Sequence, residues 1–123
     1  MTEYKLIDSS VWVEYLVNSN YKEIIESEEI YLLSSLSILE IKKKLLKLNY
    51  KKEDILNSLN FIKERSNIMT VNQEIAEMAA DICIGKSLGA VDAVIYATSI
   101  ANNSLLITLD NDFRGLENVQ ILD

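Results

Sequence analysis

Apolar and polar positions alternate in blocks along this chain. Five short apolar runs, "YKLID" (4–8), "IYLL" (30–33), "NIMTV" (67–71), "SLLIT" (104–108) and "NVQIL" (118–122), read as strands. Between them lie segments of helical length and period: 10–17, 21–27, about Ser37 to Leu48, about Lys52 to Glu64, 72–88 and 90–103. The fifth of these ends near Gly89, a natural helix stop. There is no proline, no low-complexity linker and no internal repeat, so a single domain over 1–123 is expected. Strands separated by helices predict a parallel sheet of about five strands in a three-layer α/β/α arrangement. In such sheets ligands bind beyond the carboxyl ends of the strands.

Two of these strands run out into a carboxylate, in "YKLIDSSVW" (4–12) and "LLITLDNDF" (105–113). Asp8 has an ordinary reading as a helix N-cap, and so do Ser9 and Ser10. If either serine caps the helix, Asp8 is free for another role. Asp110 carries the same ordinary reading, and Asp112 reads equally well as a turn residue. Asp92 sits in the first turn of a helix that is apolar almost all round (Val91, Ala93, Val94, Ile95, Ala97, Ile100, Ala101), which predicts burial. The helix dipole offers an exposed carboxylate about 0.3–1 kcal/mol, less than burying a charge costs, so Asp92 needs a partner.

Glu40 fits the pattern least well. Ile38, Leu39, Ile41, Leu45, Leu46 and Leu48 form the apolar face of its helix, and Glu40 points nearly opposite. Lys43 and Lys44 follow at the spacing of surface ion pairs worth about 0.2–0.5 kcal/mol. Periodicity therefore predicts a solvated salt bridge, although a first-turn position just after strand 30–33 would let Glu40 overhang the sheet edge. If the sheet winds as expected, Asp8, Glu40, Asp92 and Asp110 share that edge. Carboxylates crowded together must protonate or be neutralised by a cation.

Composition narrows the chemistry. The 123 residues are 49 % hydrophobic and 25 % charged, as in ordinary globular proteins. The chain has no histidine, which removes imidazole acid–base chemistry, and its single cysteine, Cys83, cannot form an internal disulfide. With oxygen ligands only, zinc fits poorly and magnesium or manganese fits well. A net charge of −7 argues against binding nucleic acid with the whole surface but leaves room for a local basic patch. No leader pattern and no membrane-length apolar run is present, so a soluble cytoplasmic protein is expected.

Four segments, "KLIDSSVWVEYL", "SLSILEIKK", "GAVDAVIYATSI" and "LLITLDNDF", occur in an order and at a spacing that resembles the PIN-domain family, most closely the small VapC-type toxins of toxin–antitoxin pairs. The resemblance implies a metal-dependent ribonuclease on a five-stranded parallel sheet, with Mg²⁺ or Mn²⁺ as cofactor and 5′-phosphate and 3′-hydroxyl products. Asp8, Glu40 and Asp92 match the family's three core acids, and Asp110 its more variable fourth. Thr108 matches a hydroxyl residue beside that fourth acid, Asp112 falls where some members carry a further acid, and Ser37 sits where many have threonine. Ser9, Ser37, Thr108 and Asp112 are then candidates to orient ligands or water. The "TLD" segment departs from relatives that have arginine before the Asp position or asparagine in its place. The resemblance further implies a homodimer, held inactive by a small antitoxin.

RNA contact is expected from lysines. Lys42, Lys43, Lys44, Lys47, Lys51 and Lys52 crowd one helix and the following turn, with Lys63 and Arg65 later, although a solvated helix face is the plainer reading for most of them. Lys42, near the edge of the apolar stripe and close to Glu40, is the expected phosphate contact. Tyr50, Phe61, Trp12 and Cys83 read as packing residues. A receiver-like domain would need adjacent acids after the first strand and a lysine after the last; "LIDSS" and "VQILD" supply neither. A housekeeping RNA-processing nuclease and a catalytically silent binding module of the same fold remain as alternatives.

Overall fold

The computed structural model describes residues 4–123, so the first three positions of the expected domain lie outside the described residues. The elements follow in the order β1 (Tyr4–Ile7), α1 (Ser9–Asn18), α2 (Lys22–Ile25), β2 (Tyr31–Ser34), α3 (Ser35–Lys47), α4 (Lys52–Glu64), β3 (Ser66–Met69), α5 (Gln73–Lys86), α6 (Ala90–Ala101), β4 (Ser104–Thr108), a 3₁₀ turn (Asn111–Phe113) and β5 (Val119–Ile121). All five strands are parallel, in the order β3-β2-β1-β4-β5. The predicted strands and helices are all present. The 3₁₀ turn was not expected, because three residues carry no periodic signal.

Alternation along the strands builds two cores. Ile7, Leu33 and Ile107 face a layer holding Val11 and Trp12 of α1, Ile25 of α2, Ile41 and Leu45 of α3, and Ile55, Leu59 and Ile62 of α4. Leu6, Leu32 and Leu106 face the opposite layer, against Ile75 and Ala79 of α5, Ala93, Ile95, Tyr96 and Ala97 of α6, and Phe113. Burial on both faces is why these strands read as continuous apolar runs. The first two crossovers step outward from β1 and carry α1–α4 on one face. The third returns past β1 to β4 and carries α5 and α6 on the other, as right-handed connections require. Strand order therefore reverses between β1 and β4, which opens a crevice at their carboxyl ends.

Arg65 belongs to the frame and not to the solvent-exposed basic cluster in which its sequence neighbourhood groups it. Its Nε donates to the Ile25 carbonyl (3.0 Å), its Nη2 donates to the Ser27 carbonyl, and the guanidinium stands 5.4 Å over the Phe61 ring. Phe61 in turn meets Trp12 edge-on (6.3 Å between centroids, 80°), as does Tyr15 (6.3 Å, 86°). Trp12 is fully buried. Trp12→Ala is expected to cost about 3–5 kcal/mol of unfolding free energy, the usual range for truncating a buried tryptophan. Urea denaturation followed by circular dichroism measures it, and a loss below about 1 kcal/mol would show that this aromatic group does not hold the helical layer to the sheet.

Candidate metal centre

Asp8 follows directly from the pairing of Ile7 with Ile107, and its own N–H donates to the Ile107 carbonyl (2.9 Å). The residue is only 4 % exposed and occupies the N-cap position of α1, yet its carboxylate receives no bond from the helix amides. Oδ2 instead accepts from Ser10 Oγ (2.8 Å) and Thr108 Oγ1 (2.7 Å). Neither serine caps the helix, contrary to expectation. Consecutive helical side chains diverge by about 100°, so Ser10 turns toward β4 while Ser9 turns toward α3 and donates to Glu40 Oε1 (2.9 Å).

Glu40 also differs from its sequence reading. Ser34 caps α3 by accepting from the Leu36 N–H (3.2 Å), so the helix starts two residues earlier than expected and Glu40 lies in its second turn. The buried stripe is Ser37, Ile41 and Leu45, whereas Leu39, Leu46 and Leu48 are 56 %, 55 % and 42 % exposed. Packing selected a stripe rotated from the most apolar one, which brings Glu40 to its edge, half-buried. Among the described residues the one side-chain ion pair within 4 Å joins Lys5 to Glu29, so Glu40 is not salt-bridged to Lys43 or Lys44.

Asp92 is the third residue of α6, whose N-cap is Gly89. Asp110 caps the 3₁₀ turn by accepting from the Asp112 N–H (2.9 Å), and the turn is anchored by the fully buried Phe113. Carboxylate oxygens of Asp92, Asp110 and Asp112 all lie within 4.8 Å of one another. Two oxygens on opposite sides of a cation, each about 2.0–2.4 Å from it, are about 4–5 Å apart, so this trio fits one hydrated divalent ion. Asp8 lies outside the trio but near enough for its charge to act on Asp92.

The electrostatics report the crowding. Burial, then the charges of Asp110, Asp8, Glu40 and Asp112, push the Asp92 carboxyl up to about 6. Burial also raises Glu40; the Ser9 bond opposes this, Asp8 and Asp110 add to it, and Lys43 lowers it. Five carboxylates with no histidine or cysteine among them form an all-oxygen donor set, suited to a hard cation.

Thr108 is buried, accepts from the Asp110 N–H (3.0 Å) and links that residue to Asp8. Ser37 is buried with an unpartnered hydroxyl. Lys42, Lys43 and Lys44 are all exposed. Lys43 is the lysine whose charge reaches Glu40, while Lys42 lines an apolar groove between α3 and α4 with Leu46, Tyr50, Ile55 and Leu56. Sequence reasoning underrated Asp112 and treated Ser10 only as a cap. The i, i+2 spacing in "DND" was the available signal for Asp112, because it lets the first Asp accept from the third residue's amide.

A family model described as "PIN domain" matches residues 5–118. Comparison with curated protein sequences gives no significant match. Among solved structures, a toxin–antitoxin complex from Klebsiella pneumoniae is similar with a TM-score of 0.80 at 20 % identity, over 94 % of this chain and 95 % of that one. VapBC2 from Rickettsia felis, bound to a DNA fragment from its promoter, gives 0.76 at 20 % identity over 98 % and 99 %. VapC20 from Mycobacterium tuberculosis, a sarcin-ricin loop cleaving toxin, gives 0.76 at 14 % identity over 97 % and 99 %. Among the described residues no helix is long and apolar enough to cross a membrane.

The raised Asp92 pKa makes the stability of the metal-free protein depend on pH. The folded protein holds this proton more tightly than the unfolded chain. Without metal the group therefore costs nothing at low pH, destabilises the fold progressively between 3.8 and about 6, and costs most above that. Asp92→Asn is expected to raise the melting temperature of metal-free protein at pH 8, with the gain shrinking toward pH 5. Thermal unfolding in chelator across that range checks it, and a gain that stays constant with pH would contradict the assigned cause.

Proposed function

This chain belongs to the PIN-domain family, and on that premise we propose that it is a divalent-metal-dependent endoribonuclease, the toxin of a VapBC-type toxin–antitoxin pair. The observation that carries the reading is that carboxylate oxygens of Asp92, Asp110 and Asp112 lie within 4.8 Å of one another, with Asp8 tied to Asp110 through Thr108 and Glu40 tied to α1 through Ser9. Like charges held together from β1, α3, α6 and the segment after β4 destabilise a fold, and a bound cation gives that arrangement a purpose.

In this reading Asp92, Asp110 and Asp112 would hold Mg²⁺ or Mn²⁺ together with Asp8, and Glu40 would contribute its carboxylate beside them. When bound, the metal supplies positive charge that eases deprotonation of a water and offsets charge developing on the phosphate. The chain's own residues do the rest. Ser9 fixes the Glu40 carboxylate, Thr108 fixes Asp8, and Ser37 borders Glu40 on the same helix. Water attacks phosphorus in line and the bond to the 3′ oxygen breaks, leaving a 5′-phosphate and a 3′-hydroxyl. Lys43, the cation felt by Glu40, approaches a flanking phosphate, with Lys42 and Lys44 beside it. The nuclease reading is supported by the likeness to VapC20, a sarcin-ricin loop cleaving toxin. The partner reading is supported by neighbours that are toxin–antitoxin complexes. A cytoplasmic homodimer held by a small antitoxin completes the proposal.

Cleavage of structured RNA is expected with Mn²⁺ or Mg²⁺ and not in EDTA. Asp8→Asn, Asp92→Asn and Asp110→Asn should each lower the rate by more than about 100-fold, since even outer-shell partners of a metal are commonly worth 10–100-fold. Gel analysis of labelled RNA reads both, and cleavage that persists in EDTA or in all three variants would sink the proposal. Lys43→Glu should weaken RNA binding and flatten its salt dependence, lowering the slope of log affinity against log salt by about one if Lys43 neutralises one phosphate. Filter binding across a salt series measures this.

A further inference from the structure

Ser10 shares Oδ2 of Asp8 with Thr108, and its hydrogen bonds have a direction that can be worked out. A serine or threonine hydroxyl has one proton to give and two lone pairs to receive. Ser10 Oγ receives the Leu109 N–H (3.1 Å) and lies 2.8 Å from Asp8 Oδ2. Thr108 Oγ1 receives the Asp110 N–H (3.0 Å) and lies 2.7 Å from the same Oδ2. The two hydroxyl oxygens are 3.3 Å apart, so each has a rival destination for its proton. A carboxylate acceptor is roughly twice as strong as a neutral one, so both protons go to Asp8.

Two parallel relays therefore run from consecutive amides of the segment leaving β4 to a single oxygen of the acid that ends β1. The β1–β4 ladder ends just below, at the bond from Asp8 N–H to the Ile107 carbonyl. Beyond it, Ser10 holds the Leu109 amide in the ladder's place, and Leu109 leads directly into Asp110 and its bond with the Asp112 N–H. Removing the Ser10 hydroxyl would free one side of Asp8 and loosen the segment that carries two of the other acids.

We infer that Ser10 is a positioning residue of the metal centre: with Thr108 it saturates Oδ2 of Asp8, so that Asp8 presents Oδ1 alone to the cation while its distance to Asp110 is held. The inference rests on the reading of these acids as a metal centre, and a metal titration without RNA separates the two. Mn²⁺ is titrated into metal-free full-length protein, with free Mn²⁺ followed by electron paramagnetic resonance. Ser10→Ala should weaken binding about 10–100-fold, the usual effect of losing an outer-shell partner, while Ser10→Thr, which restores the hydroxyl, should bind close to wild type. In RNA cleavage at saturating Mn²⁺, Ser10→Ala should lower kcat with little change in KM. Ser10→Cys keeps a side chain of similar size with a weak S–H donor and serves if the alanine variant does not fold; it too should bind Mn²⁺ more weakly.

Wild-type affinity in Ser10→Ala, or equal weakening in the alanine and threonine variants, would overturn the inference and leave the metal centre standing. Absence of Mn²⁺ binding by the wild type would overturn the metal centre and this inference with it. Altered Mn²⁺ affinity without RNA cleavage would support the positioning role and overturn the nuclease reading alone.

Discussion

The parallel pairing of β1 with β4, which aligns Ile7 with Ile107, is the constraint on which the rest of the site depends. The two residues are far apart in sequence, and the chain must complete its outward crossovers and a return before they meet. That return makes β1 central, buries it on both faces, and reverses the strand order beside it. Everything chemical then follows within a few residues of the two strand ends. Asp8 lies one step past Ile7, and Thr108 and Asp110 lie one and three steps past Ile107. A slip of the register by one residue would exchange Leu6 with Ile7 between the two cores and carry Asp8 away from the crevice.

The crevice is held together against its own electrostatics. Burial and neighbouring carboxylates from separate elements raise the pKa values of the half-buried Asp92 and Glu40, and nothing in the hydrophobic layers requires these acids to be there. Hydroxyls from Ser9, Ser10 and Thr108 fix the orientation of two of these acids, yet a neutral donor compensates only part of a like-charge repulsion. Stability given up at one place for chemistry is the usual mark of a functional site, and the metal that the donor set fits would restore what the crowding takes away. On α3 the exposed Lys43 is near enough for its charge to act on Glu40, so a positive group borders this negative crevice.

Much of this was legible along the chain. Strand runs, helix lengths and the four acidic segments stood out because each is a local pattern of period two or 3.6 or a short motif. The departures share one cause. On α3 the apolar count gave a face of Ile38, Leu39, Ile41, Leu45, Leu46 and Leu48; packing kept Ile41 and Leu45, added Ser37 and left Leu39, Leu46 and Leu48 exposed, which brought Glu40 from solvent to a half-buried position. Ser9 and Ser10 looked like caps because cap chemistry is local, whereas Ser9 bonds to Glu40, 31 positions away, and Ser10 joins a network with residues 108 and 109. Arg65 looked like one more surface cation, but its guanidinium lies on backbone carbonyls and an aromatic ring.

By itself the sequence determined the alternation of strands and helices, the acids that punctuate them, and the absence of imidazole. These are properties of neighbouring residues and of composition, which need no knowledge of the third dimension. The tertiary structure alone decided that Asp112 joins Asp92 and Asp110, that Lys43 rather than Lys42 is the lysine felt by Glu40, and that two consecutive serines serve two different acids. Each of those outcomes depends on the angle at which one element meets another across the sheet edge, and that angle is set by long-range packing.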